Sequence, residues 1–214
     1  MDIVTPLDVP NLVPDSWDIF WDIWNKNSAN LVKTRYIPGN TNLRPIANTS
    51  ELGRNNVWCG LDIYQTPLAE YKTLWKAPYV DIKQLLPNMY QQCLNLPFEK
   101  ITCVRIVKSL LNVYQHSDDG RDQWLIRGML YHPWEETQWY FSLPNNNNLL
   151  PLNLPKETHW FSYNDKYCHH GTKFIPDKQK LLIMVNAELP ADLLLRSKEK
   201  YKNYVLTEEH FLKV

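Results

Sequence analysis

From Ile101 onward the chain is cut into short extended segments by turn-forming residues, with no long helical pattern between them. Ile101 to Val107, Leu110 to His116, Trp124 to Tyr131, Gln138 to Phe141, His159 to Tyr163 and Lys180 to Asn186 are the strand candidates. They are enriched in β-branched and aromatic residues, and the first alternates in polarity. Ser117-Asp118-Asp119-Gly120 and the run Asn145 through Asn148 separate them as turns and exposed connections. Short strands in succession favour a barrel-like sandwich, because a doubly wound parallel sheet needs long helices between its strands.

The first half reads differently. Asp15 or Ser16 can cap a short helix in which Trp17, Phe20, Trp21 and Trp24 recur at helical spacing. Its aromatic face is expected to pack on the main domain. Val57 to Leu61 reads as a short extended segment. Between Asp81 and about Leu96, Ile82, Leu85, Leu86, Met89 and Cys93 mark one side of a second helix, with Pro87 as a kink or boundary. The expectation is a single domain over residues 1–214. Residues 1–100 form a helical and loop support region, and residues 101–190 form the sheet core.

At 44% hydrophobic residues, the 214-residue chain has material for a substantial core. Lys and Arg balance Asp and Glu at 23 each, so no basic surplus points to nucleic acid. Cys59, Cys93, Cys103 and Cys168 are widely spaced, with no CxxC pair, and read as reduced thiols. Met1-Asp2-Ile3-Val4 lacks the basic-then-apolar pattern of a signal peptide, and no apolar run is long enough to span a membrane. A cytoplasmic or otherwise intracellular location is therefore expected, and a homo-oligomer is compatible with the sequence.

His116 and Asp118 stand at positions i and i+2 at the end of a strand candidate, so extended backbone turns both to one face. Together they offer one imidazole nitrogen and one carboxylate oxygen to an ion. A third ligand can come from His169-His170-Gly171. Two histidines and one carboxylate leave positions open on an octahedral ion, which suits iron(II). A structural zinc site would close its shell with four protein ligands.

These segments resemble the iron(II)- and 2-oxoglutarate-dependent oxygenases, in particular the branch of the aspartyl/asparaginyl β-hydroxylases. The resemblance runs from about Val104 to Glu188. Asn112-Val113-Tyr114-Gln115-His116 followed by Ser117-Asp118 matches the His-x-Asp portion. Trp124 to Tyr131 is similar to a middle strand that lends a polar or basic side chain to the pocket. Trp160 to Gly171 resembles the aromatic-rich strand and turn before the distal metal histidine.

The resemblance implies a mainly β fold with a double-stranded β-helix core (jelly-roll or cupin-like), flanked by N-terminal helices. It implies Fe(II) on His116, Asp118 and His170, with 2-oxoglutarate as cosubstrate. Lys180, ten residues beyond His170, would hold the distal carboxylate, with Lys178 as the other candidate. Many family members use arginine there, and Arg127 can supply that bidentate fork from the neighbouring strand. Tyr114 could share the pocket face and hydrogen-bond the cosubstrate, or be an ordinary strand tyrosine. His169 competes with His170, and Asp119 with Asp118. His132 and His159 are expected outside the triad, while Trp139 and Tyr140 are core residues or cavity lining.

The activity implied is hydroxylation of an amino-acid, peptide or small-metabolite substrate with dioxygen. Two other classes fit the same residues. One is a cupin-like metalloenzyme that does not use 2-oxoglutarate. The other is a noncatalytic interaction domain whose tryptophan-rich N-terminal half binds a protein.

Overall fold

The structure, a computed structural model, describes residues 1–30, 32–37, 40–45, 58–66, 73–109, 113–118, 123–131, 139–146, 148–172 and 181–213. Its strands are β1 (Asp2–Pro6), β2 (Ala29–Asn30), β3 (Val32–Ile37), β4 (Asn40–Pro45), β5 (Trp58–Gln65), β6 (Thr73–Lys76), β7 (Glu99–Ser109) and β8 (Val113–His116). They continue as β9 (Trp124–Tyr131), β10 (Trp139–Ser142), β11 (Leu150–Pro151), β12 (Trp160–Asn164), β13 (His169–Thr172), β14 (Leu181–Glu188) and β15 (Leu206–Thr207). The α-helices are α1 (Trp17–Asn27), α2 (Pro87–Leu94), α3 (Ala191–Lys200) and α4 (Glu208–Leu212).

The fold is mainly β and its sheets are antiparallel. Eight strands run in the order β15-β1-β12-β9-β14-β7-β5-β2, and four in the order β11-β10-β13-β8. A separate small sheet has the order β4-β3-β6. Among the described residues these sheets do not close into a continuous barrel. Each strand candidate has its counterpart, with ends shifted by a few residues. His169 and His170 lie inside β13, a strand not among the sequence candidates. The first hundred residues also contribute strands, since β1 and β5 are members of the eight-stranded sheet.

Alternation along the strands builds two cores. On one face, Val104, Ile106, Ile126, Leu181 and Ile183 pack with Phe20, Ile23 and Trp24 of α1, Met89 and Cys93 of α2, and Leu193 of α3. On the other, Val107, Met129, Phe161, Tyr163 and Leu182 meet Trp139 and Phe141 of the four-stranded sheet. Each of these large side chains contributes about 1.5–3 kcal/mol on full burial. The α1 aromatics pack inward as the spacing predicts.

Both predicted helices start on identifiable caps. The Ser16 hydroxyl accepts from the Ile19 amide at 3.4 Å, and α1 begins one residue after it. Pro87 is the first residue of α2 rather than a kink within it. Asp15 closes the start of α2 by accepting from Asn88 and Met89 at 3.0 Å each, tying the two helices together. All four cysteines are free, and burial pushes the Cys93 thiol up to about 12. Among the described residues no helix is long and apolar enough to cross a membrane.

Gly128 lies opposite Trp160 in the β9–β12 pairing. A Cβ at Gly128 would stand 2.8 Å from the Trp160 ring, which is wholly buried and held by its indole N–H on the Pro10 carbonyl at 2.9 Å. Gly128→Ala should therefore destabilise the protein by about 1–3 kcal/mol, the usual cost of overpacking. Urea unfolding of the two proteins measures it. Equal midpoints would mean that the Trp160 ring is free to shift.

Candidate metal centre

The centre lies between the two larger sheets. His116 ends β8, and His170 sits opposite it in β13 as a cross-strand partner. Their rings are 4.5 Å apart between centroids. Asp118 follows two residues after His116, where the chain leaves the strand. Its backbone N–H donates to the Asp165 carboxylate at 2.9 Å, so the turn after β12 fixes the loop after β8.

The Asp118 carboxylate faces both imidazoles. Its Oδ1 is 3.8 Å from His116 Nε2, and its Oδ2 is 3.9 Å from His170 Nε2. These separations are too long for hydrogen bonds, yet one donor atom from each residue lies within 4.8 Å of the others. Three ligand atoms thus point at a common space without bonding one another, which is what a cation completes. At roughly 2.0–2.2 Å from an octahedral ion, adjacent ligand atoms stand about 3 Å apart, so binding would draw the set together by about 1 Å.

Exposure grades across the centre, from His170 at 6% through His116 at 22% to Asp118 at 35%. Burial, then the neighbouring His116 and Arg127, holds the His170 imidazole well below its ordinary pKa, so it is the neutral ligand form. Trp139 stacks on that ring at 5.6 Å and 23°, and Tyr163 lies against it at 4.7 Å. The Tyr163 hydroxyl is 3.2 Å from His170 Nε2. Burial pushes the Tyr163 phenol well up, which keeps it protonated.

The floor of the site comes from the eight-stranded sheet. Arg127 on β9 is buried between Phe161 of β12 and Met184 of β14 in the strand register. Its Nη2 donates to Asp118 Oδ2 at 3.1 Å, its Nη1 donates to the Ile126 carbonyl at 3.0 Å, and its buried Nε has no partner. With Trp58, Leu182, Met184 and Trp139, these groups line a cavity of about 470 Å³ that includes its open mouth.

Of the residues singled out in the sequence, the structure therefore joins His116, Asp118, His170 and Arg127. Trp139 serves as both core and cavity wall, while Tyr140 does not line the cavity. His169 is adjacent in β13 but is not part of the triad. His159 bonds the Met129 carbonyl through Nδ1 at 3.0 Å, away from the centre. Tyr114 belongs to β8, but its side chain lies outside the described residues, as do Asp119, His132, Lys178 and Lys180. Asp165, Tyr163, Trp58, Leu182 and Met184 are contributions that sequence reasoning missed as site residues. The alternation in Trp160-Phe161-Ser162-Tyr163 was a signal that Tyr163 shares a face with Phe161. Nothing local marked Asp165.

Asp165→Ala should weaken metal binding roughly 10- to 100-fold, the usual cost of losing a group that orients a ligand. Calorimetric titration with Mn(II) reads the change, and unaltered affinity would show that the Asp118 loop holds itself. A second expectation concerns the metal-free protein. His170 and His159 are both depressed below 6.5, chiefly by burial, so each takes up a proton on unfolding. Stability should be complete above the unfolded value and fall as pH drops through about 6.5 toward the folded values, by up to about 1.4 kcal/mol per pH unit for each group. Urea unfolding from pH 7.5 to 5.5, about the interval over which histidine titrates, checks this. A slope no shallower in His170→Asn would remove His170 as its source.

The chain matches no protein-family model and no curated protein. Its side chains nevertheless form a His/His/Asp metal-binding triad typical of catalytic iron(II)-dependent enzymes.

Proposed function

We propose that this protein is an Fe(II)- and 2-oxoglutarate-dependent dioxygenase that hydroxylates an amino-acid, peptide or small-metabolite substrate. On this reading, the two sheets are the halves of a double-stranded β-helix related to the aspartyl/asparaginyl hydroxylase branch. The observation that carries the proposal is the triad lining a cavity beside a buried arginine that contacts its carboxylate.

Iron(II) held by His116, Asp118 and His170 would, with the oxoacid and dioxygen, supply the oxidising power for insertion of hydroxyl at an unactivated carbon. The chain's own groups prepare the place. Neutral His170 keeps one ring nitrogen as a lone-pair donor to the ion without first losing a proton. Asp118 offsets only part of the ion's charge, and Arg127 keeps the interior positive, which favours a dianionic oxoacid. The Arg127 Nε–H, buried and without a partner, is the donor available to that carboxylate. Lys180 immediately precedes β14, whose residues line the cavity, and is the second candidate anchor. Trp58, Trp139, Leu182 and Met184 keep water from the reacting groups.

The test is anaerobic titration of metal-free protein with Fe(II) and then 2-oxoglutarate, following the visible metal-to-ligand charge-transfer band. The wild type should develop the band, His116→Ala should lose it, and Lys180→Ala should need more oxoacid to reach it. Bound iron with no oxoacid-dependent band would favour a cupin-like metalloenzyme instead. Absence of specific iron binding would favour the noncatalytic interaction domain.

A further inference from the structure

We infer that Arg127 is a positioning residue that holds Asp118 as a one-oxygen ligand, and so reserves a third open position on the ion. The inference rests on the metal centre proposed above and concerns how that centre stays open.

A carboxylate beside a metal can bind through one oxygen or both. In this site the two Asp118 oxygens are not equivalent. Each lies near one imidazole, Oδ1 at 3.8 Å from His116 Nε2 and Oδ2 at 3.9 Å from His170 Nε2, but Oδ2 also accepts from Arg127 Nη2 at 3.1 Å. A bidentate carboxylate would have to share Oδ2 between the ion and a fixed guanidinium. That guanidinium has little freedom to yield. Its Nη1 is bonded to the Ile126 carbonyl, its central carbon lies 5.6 Å from the Tyr163 ring centroid, and the residue is 5% exposed. Asp118 cannot easily retreat either, because its amide is bonded to Asp165. A short loop is thus gripped by its backbone from one side and by its carboxylate from the other.

The consequence is countable. Two imidazoles and one carboxylate oxygen leave about three positions of an octahedral ion to exchangeable ligands, and a second carboxylate oxygen leaves about two. An oxoacid that chelates through two atoms would leave about one position for dioxygen in the first case and none in the second. Arg127 is therefore linked to the number of open sites as well as to the charge of the pocket.

The experiment uses the full chain loaded with Mn(II), whose coordinated waters are counted by electron paramagnetic resonance in isotopically labelled water. Wild type should hold about three waters and Arg127→Met about two, with Mn(II) still bound in both. Arg127→Lys, which keeps a charged donor, should return the count toward that of wild type. Two waters in wild type, or the same count in wild type and Arg127→Met, would overturn the inference while leaving the metal centre standing. No Mn(II) binding by wild type would remove the centre and this inference together. Should Arg127→Met fail to fold, nitrogen NMR of arginine-labelled, Zn(II)-loaded wild type decides the matter. A slowly exchanging Arg127 Nη2 supports the grip on Asp118, and Nη signals averaged by free rotation overturn it.

Discussion

Antiparallel pairing of β8 with β13 sets His116 directly opposite His170, and the centre depends on that register. A slip of one residue would turn one histidine to the opposite face of the sheet and separate the imidazoles. The register is supported from outside the pair. β13 also pairs with β10, where Phe141 lies opposite His170, and Trp139 from the same strand stacks on the His170 ring. Two buried aromatic residues on β10 therefore penalise any shift of β13, because moving the histidine would unseat them. Packing in the core and alignment of the ligands are one constraint.

The opposite wall solves a different problem, the burial of positive charge. An arginine taken out of water is costly unless it is paired. Arg127 finds its counterion in Asp118, which reaches it from the loop after β8, so the cost of burial is offset by a contact that also orders the metal ligand. Arg105 occurs in the same row of the eight-stranded sheet, with Met184 between the two in register. Its Nη2 donates to buried Asp62 of β5 at 3.0 Å. Two arginines thus flank one methionine on the same sheet, each answered by an aspartate from a different strand or loop. The Arg105 pair lies within one sheet, while the Arg127 pair ties the two sheets together across the site.

Much of this was legible in the residues, and the boundary of legibility has a physical form. Features carried by local spacing could be read: the α1 aromatics, the strand periods and the i, i+2 relation of His116 to Asp118. Features created by cross-strand register could not. Asp165 is 47 residues from Asp118, and only the packing of one turn against another loop brings its carboxylate to that amide. Tyr163 was visible as a strand aromatic, but its approach to His170 needs both β12 and β13 in place. β1 escaped notice because five residues beginning at Asp2 carry too little pattern, although they pair with both β12 and β15. The pairing of Arg127 with Asp118 joins two residues that the sequence assigned to different tasks, cosubstrate and metal.

That pairing also explains how a metal-free site can be ready for its ion. Three mutually unbonded donors near one space would ordinarily collapse or fill with protons. Here each route is closed by something already present. His170 is kept neutral by burial and held between the Trp139 and Tyr163 rings. Asp118 is oriented by Arg127 and anchored through its amide. The strand pairing at β8 keeps His116 beside both. An arriving cation would then meet a neutral His170 and a carboxylate already oriented by its neighbours. The same grip bears on the proposed centre: with Arg127 on one carboxylate oxygen, fewer protein atoms would close the ion's shell and more positions would stay open to exchangeable ligands.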